Sequence, residues 1–348
     1  MEGIRRKRTR EVRLGSIRIG GSSPISVQSM CTTKTDDIDA TARQIRELEE
    51  AGCEIARLAV PDMDSAKCIG KIKSQTSMPL VADIHYDCRL ALECIRQGID
   101  KVRVNPGNMP EDKLRIVVKE AKDAGIPIRI GVNIGSLQKS IAERYGHSAE
   151  GMVEAAVGAI NLCESMDFHD IVVSLKSSDI FQAIKANKMF SEKSGYPIHL
   201  GITEAGTIRT GTIKSSIGIG SLLLGGIGDT IRVSLSADPV EEVIAGFSML
   251  RMLGLRKGAV LVSCPTCGRA KIDVIRIADE LEKRILKIGK QIKVGVMGCF
   301  VNADEARIAD IGVAGAEKHG ILFKNGKIVR EVEKENLVGE LLKEINRL

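Results

Sequence analysis

Apolar residues recur along the first two-thirds of the chain in two alternating patterns. Short runs rich in Val, Ile and Leu predict strands that are buried on both faces. Each run is followed by a segment whose apolar residues are three and four positions apart, which predicts an amphipathic helix. The predicted strands are Pro24–Met30, Glu54–Val60, Pro79–His85, Lys101–Pro106, Pro127–Asn133, Asp170–Leu175, Ile198–Thr203 and Asp229–Leu235.

The predicted helices have recognisable faces and ends. The segment Asp37–Ala51 places Ile38, Ile45 and Leu48 on one face, and Val240–Leu253 follows the last strand. Several helical segments stop at glycine, which is typical of helix C-termini. Eight strand–helix units in about 230 residues match a closed (β/α)8 TIM barrel of the α/β class. An open doubly wound sheet is the main alternative, but it usually carries a Gly-x-Gly-x-x-Gly turn after its first strand, and none follows here.

The pattern changes near residue 255, where we predict a domain boundary between a barrel of residues 1–254 and a C-terminal domain of residues 255–348. The second domain reads as a small α+β unit that ends in a helix, with an Asn-Gly turn inside a hairpin. Its predicted elements are strand Val260–Ser263, helix Ile272–Ile288, strand Gln291–Met297, hairpin Ile321–Val329 and helix Glu335–Leu348.

Composition narrows the class of protein. Of the 348 residues, 43% are hydrophobic but only 3% are aromatic, so the core must be aliphatic. The net charge of +6 is mild, and without clustered aromatics for base stacking it argues against nucleic-acid binding. We interpret the basic run Arg5–Arg8, with Arg10, as a solvated terminal arm. Neither a secretory signal nor an uncharged apolar stretch of about 18 residues is present, so we expect no membrane association and a cytoplasmic location.

Nine cysteines, an odd number with irregular spacing, argue against a disulfide framework and suit a reducing compartment. Cys264, Cys267 and Cys299 are the conspicuous ones, because Cys264 and Cys267 form a Cys-x-x-Cys pair. Such a pair alone fits a structural zinc half-site, a redox pair or chance. Three thiols would leave one corner of a cubane iron–sulfur cluster open to an oxygen ligand, which Glu305 could supply. Spacing alone leaves iron–sulfur, zinc and neither as open readings.

Polar residues fall near the C-terminal ends of the predicted strands, where barrel enzymes place their active sites. Cations on five different strands predict a polyanionic ligand, most simply a diphosphate, because guanidinium groups bind phosphate oxygens in bidentate fashion. Taken singly, each arginine could instead be a salt-bridged surface residue, and His85 a structural one. The candidates are Arg57, Asp83, His85, Arg103, Asn105, Arg129, Asn133, Ser174, Lys176, Glu204, Arg232 and Ser234.

Several stretches together resemble one family, the bacterial 4-hydroxy-3-methylbut-2-enyl diphosphate synthases of the non-mevalonate isoprenoid pathway, in their short two-domain form. The resemblance covers nearly the whole chain in order. Its motifs are Val27-Gln-Ser-Met30, Val81-Ala-Asp-Ile-His85, Arg103-Val-Asn-Pro-Gly-Asn108, Arg129-Ile-Gly-Val-Asn133, Gly201-Ile-Thr-Glu-Ala-Gly206, Asp229-Thr-Ile-Arg-Val-Ser-Leu235 and Cys264-Pro-Thr-Cys267.

This resemblance implies a TIM barrel followed by a 4Fe–4S cluster domain, in a homodimer. The implied reaction is the reductive ring opening and dehydroxylation of 2-C-methyl-D-erythritol 2,4-cyclodiphosphate, with flavodoxin or ferredoxin as electron donor. The implied catalytic residues are Glu204, as proton donor, and His85. The implied cluster ligands are Cys264, Cys267, Cys299 and Glu305. The implied substrate-binding residues are Arg57, Arg103, Asn105, Arg129, Asn133, Lys176, Arg232 and Ser234.

Two positions depart from the family pattern. The loop after Cys299 is one residue shorter than usual and lacks its Gly/Pro turn, so Asp304 is an alternative to Glu305 as fourth ligand. Cys31 stands where the family commonly has threonine. Two other functions stay open on the residues alone: a phosphate-binding barrel lyase or aldolase with a structural zinc, and an RNA-binding protein that uses the basic arm.

Overall fold

The computed structural model describes residues 3–286, 288–299 and 308–348. It divides into two compact units, Met1–Leu255 and Arg256–Leu348. In the described residues, no helix is both long enough and apolar enough to span a bilayer.

A short antiparallel hairpin precedes the barrel in the first unit. It consists of β1 (Val12–Leu14) and β2 (Ile17–Ile19). The barrel strands follow as β3 (Ser26–Met30), β4 (Ile55–Ala59), β5 (Leu80–Ile84), β6 (Lys101–Val104), β7 (Ile128–Asn133), β8 (Ile171–Lys176), β9 (His199–Leu200) and β10 (Thr230–Ile231).

These eight strands form one parallel sheet in the order β8-β7-β6-β5-β4-β3-β10-β9. An isolated parallel bridge between Val173 and Ile198 joins the two outer strands, so the sheet is nearly closed into a ring. The predicted (β/α)8 barrel is therefore confirmed.

Helices surround the ring because every second strand residue points outward and is apolar. Ala82 and Ile84 of β5, and Val102 and Val104 of β6, belong to the core between sheet and helices. The helices are α1 (Ile38–Glu50), α2 (Met63–Lys73), α3 (Cys88–Arg96), α4 (Glu111–Ala124), α5 (Lys139–Tyr145), α6 (Ala149–Ser165), α7 (Ile180–Lys193), α8 (Ile208–Leu224) and α9 (Pro239–Met252). Aspartate N-caps begin several of them, as Asp37 does for α1 and Asp62 for α2.

The hairpin β1–β2 closes the N-terminal end of the barrel. Val12, Leu14 and Ile19 are buried against the first inward-facing residues of three strands, namely Ile55, Val81 and Val172. This apolar plug separates the barrel interior from solvent on that side.

The basic segment before the hairpin is attached to the barrel and is not a free arm, although the side chains of Arg5, Lys7, Arg8 and Arg10 are exposed as a solvated arm requires. Arg6 makes a 3.2 Å salt bridge with Asp229, and the backbone N–H of Lys7 donates to Gly226 O. Arg10 lies over the ring of Tyr196, 5.0 Å from its centroid. These basic residues serve as attachments to the barrel.

The second unit is built on a five-stranded mixed sheet. Strands β11 and β12 run parallel to each other and to β13, and β14 and β15 complete the sheet as antiparallel neighbours. Among the described residues of this unit, two helices pack with the sheet around a separate core. Its elements are β11 (Ala259–Ser263), α10 (Val274–Ile285), β12 (Ile292–Met297), β13 (Ile311–Gly315), β14 (Gly320–Lys324), β15 (Lys327–Val332) and α11 (Leu337–Asn346).

Candidate active site

The interior of the barrel carries a cluster of cations. Inward-facing positions alternate with outward apolar ones, so Lys101 and Arg103 of β6 point to the same side. We call six side chains the cation cluster; most are buried, and Arg57 and Arg232 are half-buried. They are Arg57 of β4, Lys101 and Arg103 of β6, Arg129 of β7, Lys176 of β8 and Arg232 just after β10.

Arg103 is held by three different groups. Its Nη1 lies 3.1 Å from the Asp83 carboxylate and 3.0 Å from Nε2 of His85, and its Nη2 donates to Gly131 O at 2.9 Å. Gly131 permits this arrangement, because a Cβ there would lie 2.3 Å from Arg103 Nε. The side chain is thereby fixed before any ligand arrives.

His85 is oriented from both sides of its ring. Its Nε2 lies 3.0 Å from Nη1 of Arg103, which can only donate, and 3.5 Å from Oδ2 of the Asp83 carboxylate, which can only accept. Its Nδ1 lies 2.8 Å from Nδ2 of Asn108. The Oδ1 atom of Asn108 is buried without a hydrogen-bond partner among the described residues.

Arg232 has a carboxylate partner of its own. Its Nε and Nη2 each lie 3.1 Å from an oxygen of Glu242, a buried residue of α9 that also accepts from the hydroxyl of Ser29. Arg57 instead donates to the thioether of Met30, at 3.0 and 2.8 Å. A thioether is a weak acceptor, so the Arg57 guanidinium keeps most of its capacity for a ligand.

Four members of the cation cluster have no salt bridge to a carboxylate within the described ranges: Arg57, Lys101, Arg129 and Lys176. Burial, together with the neighbouring cations, lowers the pKa of Arg57 to about 10. Burial likewise lowers the pKa of Arg129 and of Lys176 well below their usual ranges. The arginines of the cluster also hold the pKa of Asp83 well below its usual range, against the effect of burial.

The remaining sequence candidates differ in what their side chains do. Asn105 is buried and fully engaged, since its amide donates to Ser136 Oγ at 2.8 Å and its oxygen accepts from Gly107 N at 3.0 Å. Asn133 ends β7 and Ser234 follows β10, and both are half-buried. Asn105 therefore joins the loops after β6 and β7, while the other two lie at strand ends where a ligand could reach them.

Glu204 lies in a strained turn. Its φ of 51° is a left-handed conformation that non-glycine residues rarely adopt, and its side chain is exposed. The turn follows β9 and Gly201, where a Cβ would approach Lys176 Nζ to 2.7 Å. Backbone strain of this kind is concentrated at functional sites, which agrees with a role for the Glu204 carboxylate.

Three interior residues were missed from the sequence. Lys101 and His199 are fully buried on β6 and β9, and Glu242 supports the site from α9. Lys101 could have been predicted, because it stands two residues before Arg103 and residues two apart in a strand face the same side. Glu242 gave no such signal, since its pairing with Arg232 depends on how α9 packs.

In the second unit, the cysteines follow neighbouring strands. Cys264 comes directly after β11 and Cys299 two residues after β12, and these strands are parallel, so both residues stand at one edge of the sheet. The N–H of Gly298 donates to Cys264 Sγ at 3.0 Å. The N–H of Lys271 donates to Gly298 O at 2.7 Å, which ties the Cys-x-x-Cys loop to the residue before Cys299.

The chemistry of these thiols fits an iron–sulfur cluster. Cys267 is exposed, and the backbone N–H of Arg269, with the charge of its side chain, lowers the pKa of the Cys267 thiol. A lowered pKa and an N–H···S bond both favour the thiolate form that ligates iron. No three His, Cys, Asp or Glu side chains are grouped to hold a metal ion in residues 3–286, 288–299 and 308–348. Glu305 and its alternative Asp304 lie outside those ranges.

Cys31 is a different kind of thiol. It is buried behind the barrel mouth, and burial, with the nearby Cys53, raises the pKa of Cys31 to about 12. It therefore stays protonated at neutral pH, unlike a metal-ligating thiolate.

Comparison with known proteins places both units in one family. Residues 9–247 match the GcpE TIM-barrel domain, and residues 260–347 match the GcpE protein C-terminal domain. A solved dihydropteroate synthase from Stenotrophomonas maltophilia is similar in fold, with a TM-score of 0.50 at 13% identity over 66% of this chain and 92% of that one. That likeness concerns the barrel architecture alone.

Relatives with much higher identity share the full length. A 4-hydroxy-3-methylbut-2-en-1-yl diphosphate synthase (flavodoxin) from Geobacillus thermodenitrificans is 56% identical over 351 residues, which cover 100% of this chain and 94% of that protein. The protein of the same name from Caldanaerobacter subterraneus is 55% identical over 347 residues, 99% of this chain and 98% of that one. The chain therefore belongs to the GcpE family of oxidoreductases, whose members carry the name 4-hydroxy-3-methylbut-2-en-1-yl diphosphate synthase.

Proposed function

We propose that this enzyme converts 2-C-methyl-D-erythritol 2,4-cyclodiphosphate into 4-hydroxy-3-methylbut-2-enyl diphosphate. The observation that carries the proposal is the buried cation cluster, in which Arg57, Lys101, Arg129 and Lys176 lack a carboxylate partner among the described residues. Buried charges without partners are costly, so a site of this kind is built for an anionic ligand. The relatives' shared name, which ends in diphosphate synthase, supports a diphosphate as that ligand.

Binding of the diphosphate orients the rest of the substrate. Guanidinium groups on several strands can engage phosphoryl oxygens from different directions, which fixes both position and rotation. One phosphoryl oxygen is bonded to a carbon that reacts, because ring opening breaks the C–O bond at position 2 and leaves the electron pair on that oxygen. Contacts to the diphosphate therefore place the bond that breaks and can stabilise the charge that develops on the leaving oxygen. The proposed contacts come from Arg57, Arg103, Arg129, Lys176, Arg232, Asn133 and Ser234, with Asn105 holding the loop beside them.

Glu204 and His85 are the proposed groups at the reacting end. The reaction takes up two electrons and one proton as the substrate dianion becomes the product trianion and water. Glu204, exposed on its strained turn, would deliver that proton to the departing hydroxyl. His85, held by Arg103 and Asn108, would orient the substrate through a fixed ring rather than a mobile one.

A 4Fe–4S cluster is the proposed cofactor, held by Cys264, Cys267, Cys299 and Glu305. When bound, such a cluster supplies the electrons for the reduction. The chain's own contribution is the hydrogen bond from Gly298 N–H to Cys264 and the lowered pKa of Cys267. Flavodoxin is the proposed electron donor because it stands in the relatives' name, with ferredoxin as the alternative.

A homodimer is the proposed assembly. Helix α8 presents Ile213, Ile217 and Leu224 to solvent at spacings of four and seven residues, so they share one face. Phe181 at the start of the neighbouring α7 is 83% exposed. Exposed apolar side chains repeated along one helix face can mark an interaction site, and a second copy related by a two-fold axis would cover the face on both subunits at once.

The decisive experiment is anaerobic purification followed by iron and acid-labile sulfide analysis, and by turnover of the cyclic diphosphate with a reduced flavodoxin. Cys267→Ser is expected to lose the cluster and the activity while the barrel stays folded. Cys68→Ser, at a half-buried thiol of α2, is the matched control and should keep both.

Two other results would contradict the proposed cluster. A colourless protein with zinc and no sulfide would favour a phosphate-binding lyase or aldolase. Full turnover by Cys267→Ser after reconstitution would exclude the proposed role of the thiols.

A further inference from the structure

The floor of the barrel contains two basic residues, Lys101 and His199, that are not among the proposed contacts to the diphosphate. Lys101 and His199 are both 0% exposed and stand at the N-terminal ends of β6 and β9, closer to the hairpin plug than Arg103. The Nζ of Lys101 and both ring nitrogens of His199 are without a hydrogen-bond partner among the described residues, and so is Nε of Arg129. Buried polar atoms normally have partners, so several unpaired ones in one place indicate a ligand or bound water.

The partner of these atoms has to come from inside the barrel. Beneath them the apolar plug of β1 and β2 packs on Ile55, Val81 and Val172, which closes the floor to solvent. Outside the strands, Val102 and Leu200 lie in the apolar core under the helices. Among the described residues, these apolar layers enclose the floor from below and from outside, so a ligand would reach it from the diphosphate site above.

Charge identifies what kind of partner fits. Asp100 directly precedes Lys101 in the chain, but its carboxylate is engaged by Lys73 and by Leu80 N, and Asp83 is paired with Arg103. Asp100 still raises the pKa of Lys101, but the charged groups that lower the pKa of Lys101 and His199 from the surrounding strands are cations: Arg57 of β4, Arg129 of β7 and Lys176 of β8.

We propose that Lys101, His199 and Arg129 form a second, deeper anion subsite on the barrel floor, which takes one phosphoryl group and binds a proton together with it. The inference rests on the proposed function, because it places the buried end of the diphosphate there. Lys101 and His199 are then binding residues for the same ligand that the mouth of the barrel grips.

The proton follows from electrostatics. Burial first, and then the surrounding cations, lower the pKa of Lys101 and of His199 well below their usual ranges, which favours the uncharged form of both in the ligand-free barrel. An anion placed beside them reverses the sign of the local field and raises these pKa values. Binding therefore takes up protons, and by linkage the affinity for the anion falls as pH rises.

Isothermal titration calorimetry with inorganic pyrophosphate tests this. Titrations at neutral pH in buffers of different ionisation enthalpy give the number of protons taken up, for which we expect about one in the wild type. Lys101→Met should take up fewer protons and bind about tenfold more weakly or worse, because a charged hydrogen bond is lost. Lys119→Met removes an exposed lysine of α4 and should match the wild type.

A fold control accompanies the titration. Methionine replaces the unpaired amine with an apolar chain of similar length, so ligand-free Lys101→Met should unfold at a higher temperature than the wild type. His199→Leu removes the two unpaired ring nitrogens and provides the same measurement at an independent position.

The outcomes separate this subsite from the proposed function. Suppose that the wild type binds pyrophosphate, and that Lys101→Met and His199→Leu bind it with the same affinity and the same proton uptake. That result would overturn the deeper subsite but not the proposed function. Absence of pyrophosphate binding by the wild type would overturn both. A parallel titration with inorganic phosphate identifies the ligand of the subsite. If the Lys101→Met change weakens the binding of pyrophosphate but not of phosphate, the subsite takes the end of a diphosphate. If it weakens the binding of both, the subsite takes free phosphate as well.

Discussion

Replacing Gly131 with alanine should push the guanidinium of Arg103 out of the position in which it holds Asp83 and His85. The new Cβ would lie 2.3 Å from Arg103 Nε and 3.1 Å from both Cζ and Nη2. Ordinary contact requires about 3.5 Å, so the guanidinium has to move by about 1 Å. It cannot do so freely, because its two Nη atoms are bonded to Asp83, His85 and the carbonyl of Gly131 itself.

Two magnitudes follow for Gly131→Ala. Overpacking a buried site typically costs about 1–3 kcal/mol, and for a domain of this size each kcal/mol lowers the melting temperature by about 2–4 °C. A displacement of about 1 Å in a positioning group can reduce turnover about 100-fold. Gly131→Ala should therefore remain mostly folded at the assay temperature and yet lose most of its turnover.

Gly135→Ala is the matched control, because a Cβ at Gly135 meets nothing within 4 Å and the residue lies just beyond the same strand. Thermal unfolding, pyrophosphate affinity and turnover of the cyclic diphosphate are measured on both variants. The reasoning is refuted if Gly131→Ala matches Gly135→Ala in all three.

Two further predictions concern Glu204 and the apolar face of α8. Glu204→Gln should keep the melting temperature of the wild type but lose about 10²–10⁴-fold in turnover, because the general acid is missing. Glu204→Gly should be no less stable than Glu204→Gln, because glycine is free of the left-handed backbone strain, which is worth about 1 kcal/mol or more. Unchanged turnover of Glu204→Gln would show that this residue is not the proton donor. Ile217→Glu should give monomers in analytical ultracentrifugation, while Ile116→Glu, at an equally exposed position of α4, should stay dimeric; identical sedimentation of the two variants would exclude α8 as the dimer contact.

The barrel could be predicted because its signals are local. Each strand is a short aliphatic run, and several helices begin or end at a recognisable residue. The boundaries of the first six strands differ from the observed ones by at most two residues. The last two predicted strands, Ile198–Thr203 and Asp229–Leu235, are much longer than the observed β9 and β10. Their apolar character continues past Leu200 and Ile231, but the chain leaves the sheet there to form the turns that carry Glu204 and Arg232.

Elements that depend on distant partners were missed. The hairpin β1–β2 has only three residues in each strand and is stabilised by burial against the barrel floor, so its own sequence reads as a polar, charged segment. Strand β13 (Ile311–Gly315) contains two glycines, which weakens any strand signal. Gly312 is required there because a Cβ would lie 2.4 Å from Gly295 O on the neighbouring strand.

The residues of the candidate site were likewise predictable where the signal was local, and not where it depended on tertiary packing. Strand ends identified the cations at the mouth, but not which of them are neutralised, since Glu242 reaches Arg232 from a helix ten residues further on. Met30 appeared in a recognised motif without a role, and the structure places its sulfur between Arg57 and Arg232. Such partners depend on tertiary packing, which a single sequence does not display.

The lysines of the cation cluster that have no carboxylate partner among the described residues, Lys101 and Lys176, link the stability of the folded barrel to the direction of the proposed reaction. In the unfolded chain Lys101 and Lys176 are protonated at neutral pH, whereas burial lowers their pKa values in the folded barrel. The unfolded state therefore binds more protons, and the stability of the ligand-free barrel should rise with pH up to the ordinary lysine pKa of about 10.4. A bound anion removes this penalty, and the ring-opened trianion removes more of it than the cyclic dianion does. The buried lysines whose protonation costs free energy in the empty barrel thus favour the ligand after ring opening over the ligand before it.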